Sequence, residues 1–166
     1  MFDINAFWAS NVVACTCGAD APQNCFGNAI AYINQPVAVG YTWHDLSILD
    51  QLAVTSGSNL APAWLLAHEF GHNIQNAYGT HPAGQTLSSE LGADCLSGYF
   101  LGGVACTGTT NPQELSVVLQ TVCSLAGNNL WFNPTYGNCT TRVNAVMAGM
   151  NGYFSGVSPL ERCSFY

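Results

Sequence analysis

Apolar residues in this chain fall into blocks with different periods. Residues 60–78 begin with the apolar, helix-compatible lead-in Ala61-Pro62-Ala63-Trp64-Leu65-Leu66-Ala67 and run on through Asn73-Ile74-Gln75-Asn76-Ala77-Tyr78. This predicts one continuous helix, with Pro62 suited to its first turn and Gly79 to its end. A second helix is predicted over 88–101, opened by Ser88 and Ser89 as capping residues. Residues 112–125 are amphipathic, with Leu115, Val118, Leu119 and Val122 on the inward side. Helices are also predicted over 3–14 (Phe7, Trp8 and Val12 as its apolar face), 45–54 and 140–154. Residues 15–26 read as a cysteine-bracketed loop with turn residues Gly18, Asp20 and Pro22, and 133–139 as a second loop. Residues 28–39 carry Ile30, Tyr32, Val37 and Val39 around Pro36, which predicts an edge strand or short hairpin. The expected fold class is α+β, predominantly helical. A chain of 166 residues is long enough for one core, so a single domain spanning 1–166 is expected.

The chemistry is concentrated in the two central helices. Ala67-His68-Glu69-Phe70-Gly71-His72 contains His-Glu-x-x-His. Positions four apart lie on one helix face, so His68 and His72 can offer two imidazoles to one ion. Glu69, beside the first of them, can serve as general base toward a metal-held water. Gly71 costs about 1 kcal/mol against alanine in a helix interior. Close approach of another helix would explain it. The next helix carries Glu90 and Asp94, again four apart. Glu90 is the natural third ligand of an open, catalytic zinc site. Asp94 is placed to accept the free N–H of a ligand histidine and fix its tautomer.

The motifs Ala67-His68-Glu69-Phe70-Gly71-His72-Asn73-Ile74-Gln75 and Glu90-Leu91-Gly92-Ala93-Asp94-Cys95 resemble those of the neutral zinc metallopeptidase family of bacteria. Weaker likenesses extend outward. Trp8, the Cys17–Cys25 loop with Ala29-Ile30-Ala31-Tyr32-Ile33 after it, and Arg142-Val143-Asn144 before Gly149 and Gly152 are similar to features of that family. The chain departs from it in having no lysine, in its extra cysteines and in its shortness. The resemblance implies a compact, zincin-like domain with two packed metal-binding helices, a bound Zn2+, and a peptide or protein substrate.

Composition narrows the remaining choices. Lys and Arg together number 2 against 9 Asp and Glu, which leaves too few cations for a nucleic-acid backbone or an anionic membrane surface. No apolar run reaches the roughly 18 residues of a membrane span, and no basic stretch precedes an apolar run near the start, so no signal peptide is displayed. A monomer is the expected state. The 8 cysteines are an even number and lack zinc-finger spacing, so all are expected to pair in an oxidising, secreted or cell-envelope setting. Eight cysteines allow on the order of a hundred pairings. Cys106–Cys123 and Cys139–Cys163 are the provisional choices, each tying the ends of a helical segment. Cys95, which could also pack as a buried thiol, is the weakest candidate for a bridge.

The expected activity is therefore zinc-dependent peptide hydrolysis, with endopeptidase action foremost. A catalytically silent zinc-containing peptide-binding or scaffold module and a zinc amidase acting on a non-protein substrate are the alternatives. An oxyanion donor is also needed. Tyr78, His81 and Tyr153 are the leading candidates, beside Tyr136 and Arg142, and the sequence does not choose among them. Arg142, in so charge-poor a chain, is expected to pair with a buried carboxylate. His44 is expected in a loop.

Overall fold

The computed structural model describes residues 12–18, 25, 29–34, 39–80, 86–127, 137–164 and 166. The elements are β1 (Val12–Thr16), β2 (Ala29–Asn34), β3 (Val39–His44), α1 (Leu46–Ser56), α2 (Leu60–Tyr78), α3 (Leu87–Cys106), α4 (Pro112–Gly127), α5 (Cys139–Phe154) and α6 (Pro159–Cys163). Among the described residues the protein is mostly helical, with one small sheet. No helix among the described residues is long and apolar enough to cross a membrane.

The sheet has the order β1-β3-β2. β1 runs parallel to β3, with Ala14 opposite Thr42, and β2 runs antiparallel to β3, with Ala31 opposite Thr42. A parallel neighbour needs a crossover, and the chain between β1 and β2 is pinned by the Cys17–Cys25 bridge. β2 is the expected edge strand. The helix expected over 3–14 is corrected where it can be seen: Val12-Val13-Ala14 belong to β1, in keeping with the β-branched pair, and 3–11 lie outside the described residues. β3 was not anticipated beyond Val39, and His44 is its last residue rather than a loop histidine. The reason is an inverted alternation. Thr42 and His44 are the buried positions and Trp43 is only partly covered, so the inward face of this strand is polar.

α2 and α3 carry the architecture. α2 stops where Gly79 adopts a left-handed conformation (φ 61°). α3 is capped by Thr86, whose hydroxyl accepts from Ser89 N–H while Ser89 Oγ accepts from Thr86 N–H. Ser89 is thus the third residue of the helix rather than its cap. α3 is buried on every side, from Ser89 and Glu90 through Gly102. An amphipathic stripe is therefore missing, as for a helix enclosed by others. On one flank a Cβ at Gly71 of α2 would stand 3.0 Å from Ala93 Cα, which explains the glycine in the His-Glu-x-x-His helix. On the other flank α5 lies almost backbone to backbone with α3. A Cβ at Gly98 would run into the Val146 carbonyl, and one at Gly149 into the Cys95 carbonyl. The contacts Asp94–Arg142, Gly98–Val146 and Gly102–Tyr153 advance in step, so α3 and α5 run in the same direction.

Two apolar clusters surround this frame. One joins Leu52, Trp64, Leu65, Leu101, Val118, Val122 and Val146 from five helices. The other joins Phe70, Ile74, Cys95, Leu96, Ala145 and Cys163. The inward residues expected in α4 are found there, with Val118 and Val122 fully buried and Leu115 and Leu119 packed beside them.

Three disulfides are present: Cys17–Cys25, Cys95–Cys163 and Cys123–Cys139. Cys106 is an exposed free thiol, and Cys15 takes part in none of the three bridges. Both provisional pairings are overturned, for a reason of length. Cys106 precedes α4 and Cys123 lies some three turns into it, about 16 Å along the axis at 1.5 Å per residue. Cys139 and Cys163 flank α5, which is roughly 22 Å long. Bridged Cα atoms stay within about 7 Å, so a continuous helix keeps such pairs apart. Cys95 is bridged rather than a packed thiol, and its partner Cys163 fastens α6 to α3.

Two measurements check this frame. Gly149→Ala forces a Cβ into the α3 backbone and is expected to lower stability by about 3 kcal/mol or more in urea unfolding. Alkylation of the unreduced, denatured protein is expected to leave the six cysteines of the three bridges unlabelled. Uptake of four or more labels in mass spectra would contradict the pairing.

Candidate metal centre

α2 projects Trp64, His68 and His72 at successive i, i+4 positions, and the imidazoles of His68 and His72 meet edge to face with centroids 4.9 Å apart. Glu90, in the first turn of α3, faces both. Its Oε2 lies 3.2 Å from His68 Nε2 and its Oε1 lies 3.6 Å from His72 Nε2. One ligand atom from each of His68, His72 and Glu90 falls within 4.8 Å of the others, a grouping that can hold a metal ion. Two neutral imidazoles and a carboxylate with a remaining open position form the donor set of catalytic zinc sites.

Asp94 lies one turn beyond Glu90 and is wholly buried. Its Oδ1 is 2.8 Å from His68 Nδ1. A carboxylate only accepts, so Nδ1 carries a proton and the other ring nitrogen, Nε2, is the one turned to Glu90. The same carboxylate receives the Arg142 guanidinium two-pronged, Nε to Oδ2 at 2.7 Å and an Nη to Oδ1 at 2.8 Å. Arg142 is itself buried and rests over the Trp64 ring at 5.8 Å. The arginine expected to pair with a buried carboxylate does so, which removes it from the candidates for an oxyanion donor.

Burial and charge compete throughout the cluster. Burial pulls the His68 pKa down, but Asp94 and then Glu90 outweigh it and hold the imidazole up at about 10. Glu90 is pushed up by burial, yet His68, at hydrogen-bond distance, and His72 beside it hold it well below the carboxylate range. Asp94 behaves likewise, with burial opposed by His68 and Arg142. Glu69 goes the other way. Burial, with the Glu90 charge added, raises it above its ordinary value despite His68, His72 and a backbone hydrogen bond from Ala31. That last contact places the Glu69 carboxylate against β2.

The other sequence candidates are not gathered here. Tyr153 packs on Tyr99 with centroids 5.2 Å apart, beside Gly102 and Gly103. It stands eleven residues beyond Arg142 on α5, about 16 Å along the axis, too far to meet the ligand group. Tyr78 is 47% exposed at the end of α2. Six residues past His72, it is turned about 240° around the helix from it. His81 and Tyr136 lie outside the described residues. Gln75 lies within the motif, and the sequence alone assigns it no role. The structure puts its Oε1 3.0 Å from His72 Nδ1. Its three-residue spacing from His72 on one helix was the signal available.

The chain matches no family model, no curated protein and no solved structure.

Removing the guanidinium tests the buried network. Arg142→Met leaves the Asp94 charge facing only His68, and a loss of about 3–5 kcal/mol in urea unfolding is expected. A change below about 1 kcal/mol would mean that the pair does not hold α5 to α3.

Proposed function

We propose that this protein is a zinc-dependent peptidase, most simply an endopeptidase, of zincin-like construction. The observation that carries the reading is the charge balance of the cluster. Glu69, Glu90 and Asp94 are buried together with one cation, Arg142. Three negative charges and one positive leave two negative charges when both histidines are neutral. As the side chains stand, the cluster favours protons, with His68 held up at about 10 and Glu69 raised above its ordinary value. A single divalent cation beside the two Nε2 atoms would close the balance and leave Glu69 ionised. Buried charge requires such compensation. The N,N,O donor set suits zinc.

Bound by His68, His72 and Glu90, zinc would supply Lewis acidity and lower the pKa of water. The remaining work falls to the chain. Glu69 would take the proton of the attacking water and deliver it to the leaving amine. Its raised proton affinity suits a group that must both accept and release. β2 is an edge strand, and Ala31 within it contacts Glu69. An extended peptide laid along that edge would bring its carbonyl past the general base. A structural zinc site has no need of Glu69, which disfavours a silent module. Three disulfides fit an oxidising compartment, and we propose secretion or exposure in the cell envelope.

The test separates metal from chemistry. Metal analysis should find one zinc per chain, held at about 2.0–2.2 Å by His68, His72 and Glu90. Zinc addition in weak buffer should release protons. Glu69→Gln should keep zinc and fold while losing casein and peptide-library hydrolysis. Near-wild-type turnover by Glu69→Gln would remove the general-base role. Zinc binding with no cleavage of any peptide, alongside cleavage of non-peptide amides, would assign an amidase instead.

A further inference from the structure

The two histidines of the centre differ in what stands behind them. His68 has a carboxylate, Asp94. His72 has the Gln75 amide, with Oε1 3.0 Å from its Nδ1. The other end of that amide, Nε2, donates to the backbone carbonyl of Ser89 at 2.9 Å. We propose that Gln75 is a positioning residue that holds His72 as its Nδ1–H tautomer and so aims Nε2 at the ligand group. The proposal deepens the metal-site reading and rests on it for its consequence.

The argument is a chain of forced choices. A backbone carbonyl can only accept a hydrogen bond. The Gln75 atom facing Ser89 must therefore be the amide nitrogen. The atom facing His72 must then be the amide oxygen, which can only accept. A neutral imidazole has one donor nitrogen, so Nδ1 carries the proton and Nε2 carries the lone pair. Nε2 is the nitrogen that faces Glu90. The orientation of the amide thus follows from the partners rather than from the indistinguishable shapes of oxygen and nitrogen. Gln75 is 3% exposed, so water has little access to supply a substitute partner.

The choice of an amide over a carboxylate also has a reason. With both histidines neutral the cluster already carries two net negative charges. A glutamate at 75 would add a third and set a carboxylate oxygen against the Ser89 carbonyl, two acceptors with no proton between them. Glutamine gives His72 its acceptor without that charge. It also ties α2 to the first turn of α3, where Glu90 starts. Ser89, the residue supplying the carbonyl, is the third residue of the α3 capping box. One helix cap and one imidazole orientation are therefore linked through a single side chain.

The experiment uses Gln75→Met, which keeps length and removes both hydrogen bonds, and Gln75→Glu, which keeps an acceptor for His72 and removes the donor to Ser89. Long-range 1H–15N spectra read the tautomer of His72 in metal-free protein, at a pH above which its signals no longer move. Co2+ titrations of the same proteins read affinity. Wild type is expected to show His72 protonated at Nδ1. Gln75→Met is expected to shift His72 toward a tautomer mixture and to weaken Co2+ binding by about 10–100-fold. Gln75→Glu is expected to restore the Nδ1–H tautomer while lowering the melting temperature, because the Ser89 tie is lost. A role confined to joining α2 and α3 would lower the melting temperature of both variants and leave the His72 spectrum unchanged, which overturns the proposal. A wild-type His72 protonated at Nε2 overturns it outright. Failure of wild type to bind Co2+ would remove the metal site, while the His72 spectra would still decide what Gln75 does.

Discussion

Asp94 has no contact with solvent, and the rest of the site is arranged to answer its charge. An unpartnered carboxylate in that position would cost several kcal/mol. It is answered twice, by His68 from α2 and by Arg142 from α5. One side chain on the central helix thereby fixes the orientation of both flanking helices. The backbone approach that makes this reach feasible depends on glycines. Gly71 admits Ala93 on the α2 side, and Gly98 and Gly149 let α3 and α5 meet backbone to backbone. Short distances follow for the polar contacts, and the low dielectric around them strengthens each one.

The concentration of charge gives this arrangement its meaning. Only 7% of residues are charged, yet three of the nine acids and one of the two cations meet within this cluster. A protein that needed polar contacts only for stability would do as well with apolar packing. The burial of so much of a small charge inventory is what the proposed metal site rests on. The pKa directions agree, since His68 and Glu69 are both displaced toward protonation in ways that a divalent cation would reverse.

The bridges serve the same frame from outside. Cys95–Cys163 fastens α6 beside the residue that follows Asp94, and Cys123–Cys139 holds the end of α4 to the start of α5, three residues before Arg142. Each restricts the unfolded chain by about 2–4 kcal/mol. Both lie where local opening of α5 would otherwise uncover the buried pair.

Much of this was legible in the amino-acid order. The α2 boundaries, the Gly79 stop and the close approach at Gly71 follow from local propensity and from the fixed 3.6-residue turn. The same period put His68 beside His72 and Glu90 beside Asp94, because spacing along one helix is spacing in space. What lies between elements was not legible. The polar inward face of β3, the burial of α3 on all sides, and the parallel pairing of β1 depend on which surfaces meet, and no single segment encodes that. Disulfide partners failed for the same reason, since helix lengths separate cysteines that are near in sequence and bring together Cys95 and Cys163, 68 residues apart. Tyr153 and Arg142 lie on one helix, and from sequence both are candidate donors. Tertiary packing sent one to Asp94 and the other to Tyr99. Gln75 needed the fold most of all. Its place in the motif was visible, but only the Ser89 carbonyl, brought across from α3, determines which way its amide points.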